Sequence, residues 1–474
     1  MTSPVACDAD VASNTSGDGV ALHPTAIVFT SVLGSGLAFI DGSVVNVALP
    51  TIGADLHAGP AALSWTINAY LLPLGALILF GGAAGDHYGR RRLFVGGIAV
   101  FLFASILCSF APSLPWLLAG RALQGLAAAL LMPNSLAILG STFDGEARGR
   151  AIGTWAAAGA IFGAVGPVVG GWIVDLFGWR PIFLINMPIG VAAIWLALTY
   201  TAESRDGGSG SLDWGGGAAA TLGLGMLVWA LTAAAEPSTP RIALALAAGV
   251  GLVLLALFLG IEARRGDDAL MPFGLFGTST FAGLSLLTLL LYAALAGLLV
   301  LLPYVLIRVG RYSATEAGAA MLPVPLLIGG VSRLMGRVAA RVGGRVLLVT
   351  GSAIVAAGLA LYARIGDGAI DYWRDILPPT MAVAVGMALC VAPLTTSVIA
   401  SVDRDHVGAA SGFNSALARI GGLITTALLG FVFAAGDSPG AFMARVRVAA
   451  LIGAGCAAVA ALCALALIRN DPKR

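Results

Sequence analysis

The chain is a succession of long apolar segments separated by short stretches of glycine, proline and charged residues. A helix needs about 20 predominantly apolar residues to cross the hydrocarbon core of a bilayer. Fourteen segments approach this requirement, at residues 26–49, 63–83, 93–111, 115–139, 150–174, 181–201, 214–235, 241–261, 280–307, 314–335, 345–364, 376–400, 407–434 and 446–468. The pattern predicts an all-α polytopic membrane protein with fourteen spans.

The composition supports this class and argues against others. The chain is 58% hydrophobic and 11% charged, with a mean hydropathy of +0.94, whereas about a quarter of the residues of a soluble domain are charged. The net charge is only +2, and the basic residues are scattered among short loops, so no nucleic-acid partner is expected. The five cysteines form neither a disulfide framework nor a metal-ligand spacing, so no metal site is expected.

Enzymatic chemistry is not indicated either. All four histidines fall in tails or loops, with no paired carboxylates, nucleophile elbow or phosphate-binding loop beside them. We therefore expect a protein that is not an enzyme and uses no cofactor.

The placement of arginine predicts the orientation in the membrane. An even number of spans puts both termini on the same side. In the first eight spans, the loops on the side of the termini contain eight arginines and the opposite loops contain two. This bias fades in the second half of the chain. Because cytoplasmic loops are enriched in basic residues, both termini are predicted to be cytoplasmic. Residues 1–25 are predicted to form a disordered cytoplasmic tail, and residues 469–474 a second cytoplasmic tail.

An internal repeat divides the spans into two groups. Gly82–Arg92, between the second and third spans, is echoed by Gly336–Arg345, between the tenth and eleventh, and Pro133 is matched by Pro393. Parallel repeats in a transporter imply two six-helix bundles related by an axis normal to the membrane, with the site between them at mid-depth. The predicted divisions are a first bundle at 26–201, two inserted helices with their connectors at 202–268, and a second bundle at 269–468.

One carboxylate, Asp41, lies inside the first apolar segment. A charge within a span costs about 3 kcal/mol or more, so it usually faces a partner or an aqueous cavity and marks an ion or substrate path. Asp41 is therefore the predicted functional centre. The alternative is that it lies near the outer interface and reaches water.

Arg121 is the predicted partner of Asp41. It lies about 9 Å from the outer end of the fourth span, at a depth similar to that of Asp41. An adjacent positive charge keeps a carboxylate ionised, and separation within an apolar site favours its protonation. Competition between proton and substrate for this site would produce antiport. The alternative is a static structural ion pair.

Other polar residues within the spans are candidates for lining a cavity. They are Asn46, Asn68, Tyr70, Gln124, Asn414 and Arg419. The asparagines and the glutamine could equally be packing hydrogen bonds between helices. Arg419 lies about 18 Å into its span with no acid in the same helix, so Asn414 or a substrate anion is its predicted partner. A cavity with one acid and two arginines would favour neutral, zwitterionic or anionic compounds over dications. The alternative is that Arg419 reaches a cytoplasmic vestibule.

In two motifs, the glycines have a structural explanation that does not depend on any particular function. In the loop after the second span, glycines permit a tight turn, and Asp86 can pair with Arg90 or cap a helix. For Arg91 and Arg92 we expect only the topology signal and contact with anionic lipid. Span five contains Gly159, Gly163, Gly166, Pro167, Gly170 and Gly171. Small residues allow close helix packing and proline permits a bend, which predicts a tight, flexible interface between the two bundles.

These motifs resemble those of the major facilitator superfamily, specifically its fourteen-span drug:proton antiporters of the EmrB/QacA type. The matching segments are 37–50, 65–72, 82–92, 121–125, 159–171 and 179–190. The resemblance implies the major facilitator fold and a gating role in the cytoplasmic loop for Gly82, Asp86, Gly89 and Arg90, which latch the outward-facing state. It also implies that the span-five motif marks antiporters, and hence export.

The function implied by this resemblance is proton-coupled efflux of lipophilic drugs or antibiotics across a bacterial inner membrane. Its expected partners are a small lipophilic substrate, protons and the lipid bilayer, with no periplasmic adaptor evident in the sequence. Because fold does not fix function, two alternatives remain: a solute or siderophore transporter of the same fold, and a non-transporting membrane sensor or scaffold.

Overall fold

The structure is a computed structural model that describes residues 23–205, 213–236, 238–266, 273–366, 370–403, 406–434 and 439–468. The predicted tails lie outside this part of the chain, apart from residues 23–25. Within the described residues, fourteen helical spans are long and apolar enough to cross a membrane, so the predicted all-α polytopic fold is confirmed.

The helices have the following bounds: α1 Pro24–Asp55, α2 Pro60–Tyr88, α3 Arg90–Ser109, α4 Leu114–Thr142, α5 Gly145–Phe177, α6 Asn186–Tyr200, α7 Trp214–Ala233, α8 Arg241–Arg265, α9 Ser279–Arg308, α10 Ala314–Ala320, α11 Pro323–Val342, α12 Gly344–Tyr362, α13 Leu377–Ala400, α14 Val407–Leu428, α15 Gly430–Phe433 and α16 Pro439–Leu467. The tenth span comprises α10 and α11, and the thirteenth comprises α14 and α15.

Several helices extend beyond the apolar segments that predicted them. α1 continues through Pro50 to Asp55, and α16 begins at Pro439, ahead of the predicted start at residue 446. Hydropathy detects only the part of a helix within the hydrocarbon, whereas the backbone hydrogen bonds continue into the interface. The tenth span is interrupted by a two-residue turn after α10, because Pro323 and Pro325 follow this turn and proline lacks the N–H that would continue the helix.

The helices form two packed groups and an inserted pair. We call α1 to α6 the N half and α9 to α16 the C half. α7 packs on α8 and also contacts α2 and α14, so the inserted pair lies beside one of the seams between the halves. The halves meet along α2 with α14, and along α5 with α10 and α11.

Among the described residues, the large buried hydrophobic cluster that contains residues of both halves lies toward one side of the membrane. We call the side that contains the ends of α1 near Pro24 and of α16 near Leu467 the termini side, and the opposite side the far side. Far-side residues of the N half, such as Leu49 and Ile52, belong to the same buried cluster as the C half. Termini-side residues, such as Ile27 and Phe94, belong to a cluster made entirely of N-half residues. The conformation is therefore closed on the far side.

Asp175 clamps the two halves together on the far side. Its carboxylate accepts hydrogen bonds from the N–H groups of Ala314 and Thr315, both at 2.9 Å, and from the Thr315 hydroxyl at 2.6 Å. These amides begin α10 and have no partner within that helix. The carboxylate of α5 thus caps a helix of the opposite half.

We expect Asp175→Ala to shift the population away from far-side closure by about tenfold or more, because hydrogen bonds to a charged group contribute about 1.5–3 kcal/mol each. The measurement is a spin-label distance distribution between cysteines placed at Phe110 and Trp373 in a cysteine-free background. Both positions are on the far side, and they are 71% and 74% exposed.

The matched control for Asp175 is Asp55→Ala. Asp55 is also an exposed far-side carboxylate, but it accepts hydrogen bonds from Trp179 at 3.0 Å and Arg180 at 2.6 Å, within the N half. Its loss should leave the distance between the halves unchanged. Equal shifts in the two variants would contradict a clamp at Asp175.

Candidate functional site

Asp41 and Arg121 form a buried ion pair inside the N half. Nη1 of Arg121 donates to Oδ2 of Asp41, and the two side chains are 0% and 1% exposed. The absence of a side chain at Gly125 lets α4 approach α2 closely, since a Cβ there would lie 2.2 Å from the Tyr70 carbonyl oxygen. The structure brings the two predicted residues together, and the alternative that Asp41 reaches interfacial water is wrong.

Neutral donors and acceptors complete the coordination of this pair. Gln124 Nε2 donates to Asp41 Oδ1 at 3.0 Å, and Asn186 Nδ2 donates to the same oxygen at 3.3 Å. Ser105 Oγ accepts from both amides, at 2.9 and 3.1 Å. The carboxylate therefore accepts hydrogen bonds from Arg121, Gln124 and Asn186 in a fully buried site.

Arg121 is held equally firmly. Its Nε donates to the Thr66 carbonyl at 3.2 Å, and its Nη1 donates to Gln124 Oε1 at 2.8 Å. The guanidinium carbon lies 4.5 Å from the centroid of the Tyr70 ring, whose hydroxyl donates to the Ala38 carbonyl at 3.1 Å. Cation–π packing of this kind supports the charge in an apolar setting.

The predicted roles of Gln124 and Tyr70 therefore need correction. Both were expected to line a cavity, but Gln124 belongs to the ion-pair network and Tyr70 packs against Arg121. Sequence reasoning also missed Asn186 and Ser105. The available signal was that each is a polar side chain inside an apolar segment, but hydropathy alone cannot tell which neighbours such a residue meets.

A cavity of about 210 Å³ lies between the halves at mid-depth. Its polar wall is formed by Ser43 and Asn46 of α1. The remaining lining residues come from α1, α5, α9, α11 and the turn before α11, and they are Val47, Ala160, Gly163, Ala164, Pro167, Leu295, Leu299, Met321, Val324, Pro325 and Ile328. Asn46 lies at the cavity, as predicted.

The other predicted asparagines do not line this cavity. Asn68 accepts a hydrogen bond from Thr426 and so joins α2 to α14 across the halves. Asn414 accepts from Thr288 at 2.6 Å within the C half. Each has a packing role between helices, which was the alternative reading.

Three span-five glycines face the same half rather than the opposite one, which corrects the prediction of an interface between bundles. A Cβ on Gly166 would lie 2.2 Å from the Ser43 hydroxyl, and a Cβ on Gly170 would lie 1.9 Å from a Val44 methyl. Gly159 also faces α1, with 2.9 Å between an added Cβ and a phenylalanine ring. These glycines allow α5 to pack closely on α1.

Two other residues of the motif, Pro167 and Gly171, meet the C half. A Cβ on Gly171 would lie 2.3 Å from the Ala314 carbonyl oxygen, and one on Gly318 would lie 2.2 Å from the Pro167 carbonyl oxygen. An added Cβ on Gly163 would meet no atom within 4 Å, because this glycine faces the cavity. The motif therefore packs against α1 of the same half and against α10 of the C half, and Gly163 forms part of the cavity wall.

Arg419 lies at the seam between α14, α2 and α4. Its Nη2 is 3.2 Å from the Met132 sulfur, and among the described residues it has no ion-pair partner. The predicted partner, Asn414, is bonded elsewhere, and Arg121 is enclosed in the N half. A single cavity with one acid and two arginines is therefore not formed.

A second cavity lies within the C half. About 540 Å³ is enclosed by α9, α12, α14, α15 and α16 of the C half, and its walls are almost entirely apolar. The exposed side chains of Leu428 and Ile452 lie along it. In the described part of the chain, no cluster of three or more histidine, cysteine, aspartate or glutamate residues could hold a metal ion.

The termini-side loop contains the predicted ion pair. Arg90 Nη2 lies 2.8 Å from Asp86 Oδ1. Gly89 separates α2 from α3 with φ of 112°, a conformation that favours glycine. An added Cβ on Gly82 would lie 3.6 Å from Pro133 of α4, an ordinary contact. The latching role of this loop stays a prediction.

The neighbouring arginines do more than was predicted. Glu203, after α6, accepts hydrogen bonds from the N–H groups of Arg91 at 3.0 Å and Arg92 at 3.2 Å. Arg91 Nη1 also donates to the Thr201 carbonyl at 2.9 Å. The segment after the sixth span therefore caps α3, and the expectation that Arg91 serves only topology and lipid contact is wrong, since its side chain is bonded to Thr201.

Comparison with known proteins adds independent information. Residues 31–426 match the family model described as Major Facilitator Superfamily. The chain is 33% identical over 410 residues to multidrug resistance protein Stp of Mycobacterium tuberculosis (strain CDC 1551 / Oshkosh), covering 85% of this chain and 74% of that protein. It is 34% identical over 408 residues to cephamycin export protein CmcT of Amycolatopsis lactamdurans, covering 85% and 83% respectively.

The fold is also similar to that of solved transporters. One is a bacterial homologue of the human lysosomal transporter Spinster, in an inward-facing and unoccupied conformation. The TM-score is 0.63 at 18% sequence identity, and the match covers 95% of this chain and 99% of that one.

Proposed function

This chain belongs to the Major Facilitator Superfamily, and from that premise we propose that it exports lipophilic drugs or antibiotics in exchange for protons. It is a multi-pass bacterial membrane protein, and its relatives include a multidrug resistance protein and an antibiotic export protein. These names favour export over uptake of a solute or siderophore. They also favour a transporter over a sensor or scaffold.

The buried Asp41–Arg121 pair is the observation that carries the proposal. Both charges are removed from water, and such a pair is rarely more stabilising than an apolar replacement. In the proposed cycle, a proton from the far side binds the Asp41 carboxylate and breaks its bond to Arg121. The same proton leaves on the termini side when the pair re-forms. No cofactor takes part, and the gradient alone supplies the free energy.

The far-side closure fits one stage of this cycle. In the proposed cycle, the bond between the Asp41 carboxylate and Arg121 belongs to the stage after proton release, and the large buried cluster shared by the two halves closes the far side at this stage. If the termini are cytoplasmic, as the arginine distribution predicts, this is the stage that accepts cargo from the cytoplasm or the inner leaflet. Proton release and cargo entry then occur in the same conformation.

Drug susceptibility tests the proposal directly. Expression in a bacterial host that lacks its own efflux pumps should raise the inhibitory concentration of at least one lipophilic antibiotic and lower ethidium accumulation. A protonophore should abolish both effects, since the gradient is the only source of free energy. A chain that increases accumulation of the compounds would indicate uptake. Binding without any change in flux would indicate a sensor.

A further inference from the structure

Arg419 extends from the C half toward the N half near the middle of the membrane. An added Cβ on Gly75 of α2 would lie 3.3 Å from Arg419 Cβ. The guanidinium Nη2 lies 3.2 Å from the sulfur of Met132 on α4. The side chain therefore crosses the seam that must rearrange when the halves move.

This guanidinium lacks a counter-charge. Among the described residues, no carboxylate lies within 4.0 Å of it, and its Nε is buried without a hydrogen-bond partner. The groups that interact with it electrostatically are the phenols of Tyr70 and Tyr292, which are neutral at ordinary pH. A thioether is only a weak acceptor. Among the described residues, the Nε donor of Arg419 is therefore unsatisfied and Nη2 has only this weak acceptor.

The charge pair of the N half cannot supply the missing anion. Asp41 is bound to Arg121, Gln124 and Asn186. The Tyr70 ring packs against the Arg121 guanidinium. The acid is therefore shielded from the seam, and the positive charge at the seam is not balanced by it.

We propose that Arg419 is the anion-binding residue of the transport path and makes the exporter prefer lipophilic monoanions and zwitterions with a carboxylate or sulfonate over cations. This inference rests on the proposed function and names its substrate class. Arginine presents paired donors that match the two oxygens of a carboxylate. A bound anionic cargo satisfies those donors at a position where the protein provides no acid.

The experiment uses two dyes of nearly equal size. Rhodamine B is a zwitterion with a free carboxylate, and its ethyl ester is a cation. Binding to the purified full chain is measured by quenching of intrinsic tryptophan fluorescence. The wild type should bind rhodamine B at least about tenfold more tightly than the ester, given the contribution of a charged hydrogen bond.

Substitutions of Arg419 separate charge from packing. R419Q should weaken rhodamine B binding by about ten- to a hundredfold and leave the ester within about twofold. R419K should retain only part of the preference, because it keeps the charge but loses the paired donors. The melting temperature and the distance between labels at Phe110 and Trp373 identify a variant that has lost its fold.

The remaining outcomes overturn the proposal. Equal weakening of both dyes by R419Q assigns the arginine to packing. A wild type that binds the ester as tightly, or that does not bind rhodamine B, has no anion preference. Failure of the proposed export function can be distinguished from failure of this inference. In that case, drug accumulation in cells is unchanged by expression of the chain, whichever dye the purified protein prefers.

Discussion

Asp41→Asn is expected to abolish uphill export while substrate exchange persists. Asparagine keeps the size of the side chain and accepts hydrogen bonds, so cargo can still enter and the halves can still move. It cannot bind and release a proton. With one proton per neutral molecule, each pH unit is worth about 1.4 kcal/mol, or a tenfold gradient of cargo. In proteoliposomes with a gradient of one pH unit, wild type should accumulate up to about tenfold and the variant should only equilibrate.

The matched control for Asp41 is Asp144→Asn. Asp144 makes the same type of ion pair, with Arg148 at 3.1 Å, but its side chain is 98% exposed. Exposed pairs contribute little, so its transport should be unchanged. Uphill accumulation by Asp41→Asn at the wild-type rate, with the same dependence on external pH, would falsify the coupling role of the ion pair and leave the fold unaffected.

Gly171→Ala is expected to impair transport by preventing far-side closure. The new Cβ would lie 2.3 Å from the Ala314 carbonyl oxygen and 2.6 Å from the Thr315 nitrogen, both backbone atoms. A flexible side chain could move aside, but the first turn of α10 cannot do so without displacing the helix. Overpacking of this kind costs about 1–3 kcal/mol, which corresponds to a five- to hundredfold loss of the closed population.

The measurement for Gly171→Ala combines drug export with the distance between labels at Phe110 and Trp373, which should lengthen. Gly149→Ala is the matched control on the same helix, since its Cβ would meet nothing within 4 Å. Export and the distance should both be unchanged there. If the two variants behaved alike, the loss would reflect a general intolerance of α5 to side chains.

The sequence by itself determined the features that depend only on position along the chain, namely the number of spans and the depth of each charged residue. Runs of apolar residues predicted fourteen spans, all present as helices. Asp41 and Arg121 could be paired because each is a rare charge in an apolar segment and helix rise converts residue number into depth. Helix ends such as Asp55 were missed, since hydropathy reports the hydrocarbon boundary and not the last hydrogen bond.

The tertiary structure decided which neighbours each side chain meets. Gln124 and Asn68 are both polar residues within spans, yet one binds the ion pair and the other joins two halves. The same holds for Gly170 and Gly171, which are adjacent but face different halves because successive helix positions differ by about 100°. Rotation of each helix, and hence partners and closure, depends on packing among distant segments, which no local pattern of residues records.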